Sequence, residues 1–271
     1  MKRGRFWMYN LYGPNGEADC RTQNTVIAKE QQMEGIRILI SGDRAVSVQM
    51  GSEISPEINR RVLMLKAELE RDPIEGVTET LPAYSSLMVH YRPEVIRFKE
   101  LSDEILKRSH AMREIPAESR RIIEVPVCYG GEFGPDLEHC AKLEGTTPEE
   151  IIRKHSQHDH YVYMLGFAPG QPYSARFEEP YGFKRRETAR ISVPARSVVV
   201  QQNLSDLLPF DQPCGWNVIG RTPCEVCDYM RQDPFLVHPG DLIRHRPVSP
   251  EEYREIRRQV EAGAWKPAFI K

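Results

Sequence analysis

Arg190 and Arg221 are the side chains in the second half of the sequence best suited to bind a small anion. Each lies in a short strand-like segment, and a guanidinium group can hold a carboxylate or phosphate through two parallel hydrogen bonds. Gly166, Gly170 and the pair Gly215-Trp216 occur in the same half, where glycine lets a ligand approach the backbone and the indole offers a flat wall. Together these residues predict a pocket for a small anionic molecule.

Histidines raise the question of a metal site. His155, His158 and His160 lie within six positions, but the stretch is typical of a helix end that leads into a strand, and no cysteine or carboxylate completes a recognisable ligand set. We therefore interpret it as a solvated linker and predict no metal or bound organic cofactor in this chain. His90 lies in an apolar strand and is either a hydrogen-bonded core histidine or a polar contact at a shared interface.

The glycines of the segment Gly130–Gly134 have two interpretations. Their N–H groups could converge on an anion near a helix N-terminus, or the segment could be a connector with positive φ angles between a strand and a helix. It matches neither the Walker loop nor the G-x-G-x-x-G fingerprint. Both interpretations stay open from the sequence.

The cysteines indicate reduced thiols. Six cysteines are too few for a disulfide scaffold in 271 residues. Cys224 and Cys227 have the spacing of a redox or zinc pair, but there is no second pair, and the segment is strand-like. Because the sequence contains no complete catalytic triad, we assign no nucleophile and no base.

Composition narrows the class of partner. Charged residues make up 28% of the chain and nearly cancel, with a formal net charge of −2, so no global field favours nucleic acid or an anionic membrane. The longest apolar runs, such as Ile38–Ile40 and Val198–Val200, are far shorter than a membrane span. Met1–Phe6 does not begin a secretory signal, so we expect a cytoplasmic protein that binds a small molecule or another protein.

The first half of the chain predicts a two-layer α/β sandwich. Residues 1–35 are polar and non-periodic, and we treat them as an extension. Residues 36–128 show strands and helices in the order ββαββαβ, beginning with a hairpin at Ile36–Ile40 and Ala45–Met50. This order suits helices that cover one face of a mainly antiparallel sheet.

The second half predicts a β-barrel. Residues 129–160 form a helical connector, and residues 161–248 contain many short strands separated by glycine and proline turns, which is typical of a barrel or sandwich. Residues 249–271 form a helix and a tail that begin at the capping sequence Ser249-Pro250-Glu251-Glu252. The predicted fold class is therefore α+β, with a sandwich domain followed by a barrel domain.

Short motifs in a fixed order connect the chain to a known family. They include Val89-His90-Tyr91, Val127–Leu137, Leu165–Gly170, Val193-Pro194-Ala195, Gly215-Trp216, Ile219–Pro223 and Pro239-Gly240-Asp241. In this order they resemble the family of the 5-oxoprolinase B subunit, also called KipI or allophanate hydrolase subunit 1, the family of the carboxyltransferase domain, subdomain C and D. The resemblance runs from about Ile36 to Pro247 and implies that the barrel is cyclophilin-like.

The resemblance implies a subunit of a multi-component enzyme. Relatives pair with a protein of the 5-oxoprolinase C type and act with a third subunit to open the lactam of 5-oxoproline, with ATP as co-substrate of the complex. The implied ligand of this chain is a small anionic molecule or cyclic amide or ureide. Two alternatives remain: a binding module that inhibits a sensor histidine kinase or another enzyme, and a carboxyltransferase component of a biotin-dependent, urea carboxylase-like system.

The resemblance also points to the loop from Gly166 to Tyr173 as a wall of the pocket. We expect Phe167, Pro169 and Gly170 of this loop to contact the ligand, with Arg190 and Arg221 as anion holders and His90 as a polar contact. Family glycines are replaced by Arg196, Asp206 and Cys214, and a family phenylalanine by Gln171. These replacements predict that the volume and charge of the pocket have changed, and its ligand with them.

Overall fold

Two large sheets, each with its own apolar core, organise the protein. The structure, a computed structural model, describes residues 31–33, 35–116, 120–175 and 180–270. The predicted α+β fold, a sandwich followed by a barrel, is confirmed. None of the helices in these ranges combines the length and the apolar character needed to cross a bilayer.

The first sheet has five antiparallel strands in the order β1-β2-β3-β5-β4. Its elements are β1 (Gln31–Met33), β2 (Ile36–Ile40), β3 (Ala45–Gln49), α1 (Pro56–Arg71), β4 (Val77–Pro82), β5 (Ser86–Tyr91) and α2 (Phe98–Ser109). Alternate strand residues and one face of each helix share a single buried core. The hairpin of β2 and β3 lies where the sequence predicts it.

Local signals set the helix starts of this layer. Ser55 accepts a hydrogen bond from the N–H of Ile58 at 3.2 Å, and Pro56 occupies the first turn of α1. Val95 is 41% exposed and lies in the turn before α2, which begins only at Phe98.

The second sheet closes into a barrel. Its elements are β6 (Ile122–Tyr129), α3 (Leu137–Glu144), α4 (Pro148–Ser156), β7 (His160–Leu165), β8 (Pro172–Ala175), β9 (Arg190–Val193), β10 (Ser197–Gln201), β11 (Leu204–Leu207), β12 (Gln212–Cys214), β13 (Asn217–Arg221), β14 (Leu242–Pro247), α5 (Pro250–Glu261) and β15 (Ala268–Ile270). The strand order is β13-β10-β11-β8-β7-β14-β6-β15, and the pairing of β13 with β6 closes seven of these strands into a ring. β9 and β12 form a separate two-stranded ribbon.

β6 belongs to the barrel, whereas the sequence pattern assigns it to the sandwich. It pairs in parallel with β14 and in antiparallel with β13 at Gly220 and Arg221. The assignment to the sandwich is wrong because an apolar run specifies a buried strand but not which sheet supplies its hydrogen bonds. A second strand prediction, Glu225–Cys227, also fails, since Cys227 makes only an isolated bridge to Phe235.

The glycine segment Gly130–Gly134 connects β6 to α3. The N–H groups of Gly130 and Gly134 donate to the carbonyl oxygens of Ile219 and Gly130, at 3.1 and 2.9 Å. A Cβ on Gly134 would lie 1.9 Å from the carbonyl oxygen of Ile219, so only glycine permits this approach to β13. These contacts favour the connector over the anion site.

A buried amide joins the sandwich to the barrel. Asn59 of α1 is fully buried and donates to the carbonyl oxygens of Ala83 at 2.8 Å and of Tyr163 in β7 at 3.2 Å. The hydroxyl of Tyr161 donates to the side-chain oxygen of Asn59 at 2.9 Å. Both ends of the amide are therefore satisfied, and α1 is held in register with β7.

The Asp136 carboxylate ties three parts of the barrel together. It accepts two hydrogen bonds from Arg190, each 2.7 Å long, one from Arg186 at 2.9 Å, and one from the N–H of Val218 at 2.8 Å. Asp136 is 3% exposed and precedes α3. Burial alone would raise its pKa, but the hydrogen bonds from Arg190 and Val218 outweigh burial and hold the pKa below its usual value.

Replacing Asp136 with alanine should destabilise the fold strongly. The change leaves the guanidinium groups of Arg186 and Arg190 without their carboxylate, and breaking such a pair from one side costs about 3 kcal/mol, the low end of the usual range because both groups are partly solvated. Urea denaturation would measure the loss in free energy of unfolding. The control is Glu70→Ala, which removes an exposed pair with Lys66 and should change stability little. Equal effects of the two substitutions would contradict this role of Asp136.

Candidate functional site

A cavity of about 210 Å³ lies against the outer face of the barrel wall. It is lined by Phe167, Gln171, Tyr173, Arg185, Val199, Gln212, Pro213, Cys214, Gly215 and Trp216. Four segments contribute to it: the loop and strand from Phe167 to Tyr173, the chain before β9, Val199 of β10, and β12 with the turn that follows it. Pockets for drug-sized ligands are about 300–1,000 Å³, so this smaller cavity suits a molecule smaller than a drug.

The alternation of β10 explains why the cavity is outside the barrel. Val198 and Val200 belong to the core that fills the barrel interior, whereas Val199 packs with Leu208 and Val218 in a small cluster on the outer face. Trp216 covers that cluster. Aliphatic side chains therefore occupy the barrel interior, and the open volume lies on the other face of the wall.

The structure brings part of the predicted site together. Phe167, Gly215 and Trp216 line the cavity directly. Phe167 has a φ of +65° and a side chain that is 74% exposed. Gly166 and Gly170 lie in the same loop, where the N–H of Gly166 donates to the carbonyl oxygen of Gln171 at 3.1 Å.

The remainder of that loop turns away from the open volume. A Cβ on Gly170 would lie 2.8 Å from the ring of Phe235, so Gly170 packs against the segment after Cys227. Pro169 is exposed and does not line the cavity. The loop from Gly166 to Tyr173 is thus one wall of the cavity, and it reaches the open volume through Phe167, Gln171 and Tyr173.

Neither predicted arginine lines the cavity. Arg190 is held by both oxygens of Asp136, and Arg221 donates from Nε to the carbonyl oxygen of Ala195 at 3.0 Å. Both of these predicted anion holders therefore lie outside the cavity wall, where Arg190 has an internal carboxylate partner and Arg221 a backbone carbonyl partner.

His90 lies in the sandwich and is absent from the cavity wall. It is half-buried in β5, where it pairs with Ala45 of β3 and Glu79 of β4. His90 is therefore a strand residue of the sandwich and does not line the cavity.

Arg185 is the cationic side chain at the cavity, and sequence reasoning missed it. Its guanidinium group faces Gly215, where an added Cβ would lie 2.7 Å from Nη2. Within the described parts of the chain Arg185 forms no ion pair, whereas Arg186 and Arg190 share Asp136. The basic run Lys184-Arg185-Arg186 is the available signal, but strand patterns cannot show which member faces a cavity.

Two glutamines and a buried carboxyl group form the polar side of the cavity. The Gln171 side chain accepts from Nε2 of Gln212 at 2.7 Å and donates to Oδ2 of Asp206 at 3.0 Å. Asp206 lies on β11, opposite Val199 in the register of β10. The replacements Gln171 and Cys214 line the cavity without filling it, and Arg196 pairs with Glu225.

Burial raises the pKa of Asp206 well above its usual range, although hydrogen bonds from Gln171 and Ser174 act in the opposite direction. Asp206 is 1% exposed, and its Oδ1 has no hydrogen-bond partner among the described residues. A carboxyl group in such a position is favoured in its neutral, protonated form, which can donate a hydrogen bond. The chain Asp206, Gln171, Gln212 therefore orients polar groups toward the cavity without adding a negative charge.

Neither the thiol that lines the cavity, Cys214, nor the pair Cys224 and Cys227 is activated. Burial raises the pKa of Cys214, so the thiol stays protonated near neutral pH. Burial also raises the pKa of Cys224 to about 12, and the pKa of Cys227 is shifted upward by the same cause. None of these three thiols is therefore an activated nucleophile.

A second group of polar side chains lies on the inner side of the barrel wall. His155 from α4, His160 from β7 and His245 from β14 are 1%, 3% and 1% exposed, and their ring centroids are 4.3–4.8 Å apart. We call these residues the histidine cluster. Burial, followed by the two neighbouring imidazoles, lowers the pKa of His245 well below its usual value, so this ring is neutral.

The histidine cluster corrects one sequence interpretation. The sequence predicts a solvated linker for the run from His155 to His160, but its first and last histidines are buried, and only His158 is half-exposed. The interpretation fails because the third member, His245, comes from a distant strand that the barrel brings alongside β7.

Comparisons with known proteins identify relatives that match most of the chain. Residues 36–237 match the family model for the carboxyltransferase domain, subdomain C and D. The chain is 35% identical over 228 residues to the 5-oxoprolinase B subunit of Bacillus subtilis, an alignment that covers 80% of this chain and 95% of that protein. It is 32% identical over 216 residues to the 5-oxoprolinase B subunit of Escherichia coli O157:H7, covering 79% and 97%.

Solved structures share the fold. TTHA0988 superimposes with a TM-score of 0.68 at 32% identity, covering 76% of this chain, which spans 40% of the length of that protein. The Kluyveromyces lactis urea amidolyase superimposes with a TM-score of 0.72 at 17% identity, covering 87% of this chain and 16% of that one. The second likeness is one of fold alone.

Substituting Asp206 with asparagine should change how stability depends on pH. The pKa of Asp206 is higher in the folded chain than in the unfolded chain, so the unfolded chain releases this proton at lower pH. The parent therefore loses stability as the pH rises from about 4 toward the folded pKa. The uncharged amide removes this loss. The stability of Asp206→Asn relative to the parent should therefore increase between about pH 5 and about pH 8.

Urea denaturation at both pH values would measure this relative stability. The control is Asp211→Asn, which changes an exposed carboxylate that accepts from the N–H of Ala195. A relative stability of Asp206→Asn that stays constant or falls with pH would contradict a buried, protonated Asp206.

Proposed function

Because the chain belongs to the family of the carboxyltransferase domain, subdomain C and D, we propose that it is a subunit of a 5-oxoprolinase-like enzyme complex. Its substrate is a small cyclic amide that carries a carboxylate, of the 5-oxoproline class. The chain works with a partner of the 5-oxoprolinase C type and a third lactam-opening subunit, and the complex uses ATP as co-substrate. The names of the relatives support this proposal, and the cavity supplies binding groups for the substrate.

The single observation that carries the proposal is the position of Arg185. This guanidinium group lines a cavity of about 210 Å³ and has no carboxylate partner among the described residues. A substrate carboxylate would pair with this guanidinium group through charge-assisted hydrogen bonds, which are shorter and stronger than neutral ones. The role that the sequence assigns to Arg190 and Arg221 thus passes to Arg185.

The other walls suit a flat, polar ring. Trp216 and Phe167 offer aromatic surface, and the side chains of Gln171 and Gln212 place amide groups along the polar side of the cavity. A lactam presents one N–H donor and one carbonyl acceptor. Amide side chains provide the complementary acceptor and donor.

The chemical step needs groups from outside this chain. The cavity holds a protonated thiol at Cys214 and no triad among the residues that line it, and the segment Gly130–Gly134 uses its N–H groups at Gly130 and Gly134 within the fold. ATP and the ring-opening groups are therefore assigned to the partner subunits. This chain binds the ring and presents it to them.

The rim of the cavity has the exposed apolar surface that a partner would cover. Phe167, Ile191, Tyr229 and Met230 are 74%, 91%, 65% and 94% exposed. Ile191 lies in β9, which pairs with the cavity strand β12, and Tyr229 stacks on Phe210 just before that strand. Exposed aromatic and methionine side chains are enriched at protein interfaces. This rim also favours the second candidate function, a binding module that regulates another enzyme.

Reconstitution would test the proposed activity. The chain is copurified with its C-type partner and the third subunit, and ring opening of 5-oxoproline is followed with and without ATP. We expect ATP-dependent product that is lost when this chain is omitted. Assembly of the complex without turnover on a panel of lactams would overturn the enzymatic proposal and favour the regulatory one.

Replacing Arg185 with alanine should weaken substrate binding by about 10- to 100-fold, the value of a charged hydrogen bond of roughly 1.5–3 kcal/mol. Calorimetric titration of 5-oxoproline into the complex would measure the dissociation constant. Arg185 is exposed, so thermal unfolding should be unchanged. The matched control is Lys184→Ala, an exposed neighbour that does not line the cavity. Equal affinity of the parent and Arg185→Ala would refute the role of Arg185.

A further inference from the structure

We propose that the histidine cluster binds one divalent transition metal ion of the zinc class, held by imidazole nitrogens of His155, His160 and His245. Their ligand atoms all lie within 4.8 Å of one another, and each ring is at least nine-tenths buried. Zinc–nitrogen bonds are about 2.0–2.1 Å long, so binding would draw the three nitrogens together by roughly an ångström.

Hydrogen bonds already select the nitrogen of His160 that would bind the metal. Its Nε2 lies 2.9 Å from the backbone carbonyl oxygen of His155, and a carbonyl oxygen only accepts. Nε2 is therefore the protonated nitrogen, and in the neutral ring the lone pair is on Nδ1. A hydrogen bond from the second ring nitrogen to a carbonyl is the usual support of a metal-binding histidine.

His155 has a comparable support. Its Nδ1 lies 2.8 Å from the Tyr129 hydroxyl, and its Nε2 lies 2.8 Å from the hydroxyl of Ser205. When Nδ1–H donates to Tyr129, the lone pair is on Nε2. The metal would then take the place of the Ser205 hydroxyl hydrogen bond on this nitrogen.

His245 provides the independent indication of a missing ligand. It is 1% exposed, and neither of its ring nitrogens has a hydrogen-bond partner within the described residues. A buried polar group without a partner destabilises the fold, so such groups are normally paired with protein, water or an ion.

Space beside the cluster suits a fourth ligand. A cavity of about 10 Å³, close to the volume that one water needs, is lined by His155, His160 and Ser205 together with Tyr181, Gln202, Asn203 and Leu204. The side-chain oxygen of Asn203 is buried there and unpartnered among the described residues. A metal-bound water donating to Asn203 would complete a tetrahedral site.

Ligand chemistry favours zinc over other cations. Three imidazoles and no carboxylate suit zinc and other first-row transition ions, whereas magnesium and calcium prefer oxygen ligands. The cluster lies on the opposite face of β11 from the substrate cavity, since Ser205 points to His155 and Asp206 to Gln171. We therefore assign the ion a structural role, which joins α4, β7 and β14.

The test uses the full chain, stripped of metal by a chelator and titrated with Co²⁺ as the spectroscopic probe. We expect one equivalent to bind with the visible absorption of a tetrahedral site and without a thiolate charge-transfer band. Zn²⁺ should displace it and raise the midpoint of thermal unfolding. Zinc-edge absorption spectroscopy of the zinc-loaded chain should show imidazole scattering.

Variants locate the site. His245→Asn should weaken binding by more than about 100-fold, and Tyr129→Phe, which removes only a supporting hydrogen bond, by about 10- to 100-fold. The matched control is His158→Asn, a half-exposed histidine of the same sequence run, which should bind as the parent does.

Several results would overturn the proposal: no stoichiometric Co²⁺ binding by the parent, a thiolate band, or equal affinities of the parent and His245→Asn. If His245→Asn does not fold, the parent absorption spectra and Tyr129→Phe decide the question. Failure here leaves the proposed substrate cavity untouched, because the two sites lie on different faces of the barrel wall.

Discussion

The buried carboxylate of Asp136 is the interaction on which the barrel and its outer cavity depend. It accepts from Arg186, Arg190 and the N–H of Val218, and so joins the start of α3, the chain before β9 and strand β13. Arg185 lines the cavity and directly precedes Arg186, so the ion pair of Arg186 with Asp136 fixes the position of Arg185. A network of this kind contributes geometric definition as well as stability, because each guanidinium group has a fixed set of acceptors.

The alternation of a β-strand divides the barrel wall into two chemical environments. Ser205 of β11 faces inward to the histidine cluster, while Asp206 faces outward to Gln171 and the cavity. Neighbouring residues on one strand thus serve a buried set of imidazoles and a ligand-binding surface without touching each other's partners. The barrel wall separates the two, and its two faces are marked by the packing of Val198 and Val200 inside and of Val199 outside.

Much of the fold is accessible from local patterns. The capping residues Ser55 and Thr147 mark the starts of α1 and α4, and the hairpin of β2 and β3 follows from alternation and a turn. Assignment of β6 to a sheet is not accessible, because its partner β14 lies far along the chain. Loop residues of the site, such as Phe167 and the pair Gly215-Trp216, can be found because glycine, proline and aromatic residues mark a ligand-binding turn.

The sequence alone determined the element types, the order of sandwich and barrel, the family resemblance and the loop that forms one cavity wall, since these depend on short-range periodicity and contiguous motifs. Tertiary structure decided which charges remain available. Arg190 pairs with Asp136 and does not line the cavity, whereas the guanidinium group of Arg185 lines it and is accessible to a ligand. It also decided that His245 joins His155 in a buried cluster. The pairing of Arg190 and the clustering of His245 both depend on residues distant in sequence. Those residues, rather than the neighbours along the chain, determine the charge and exposure of a side chain.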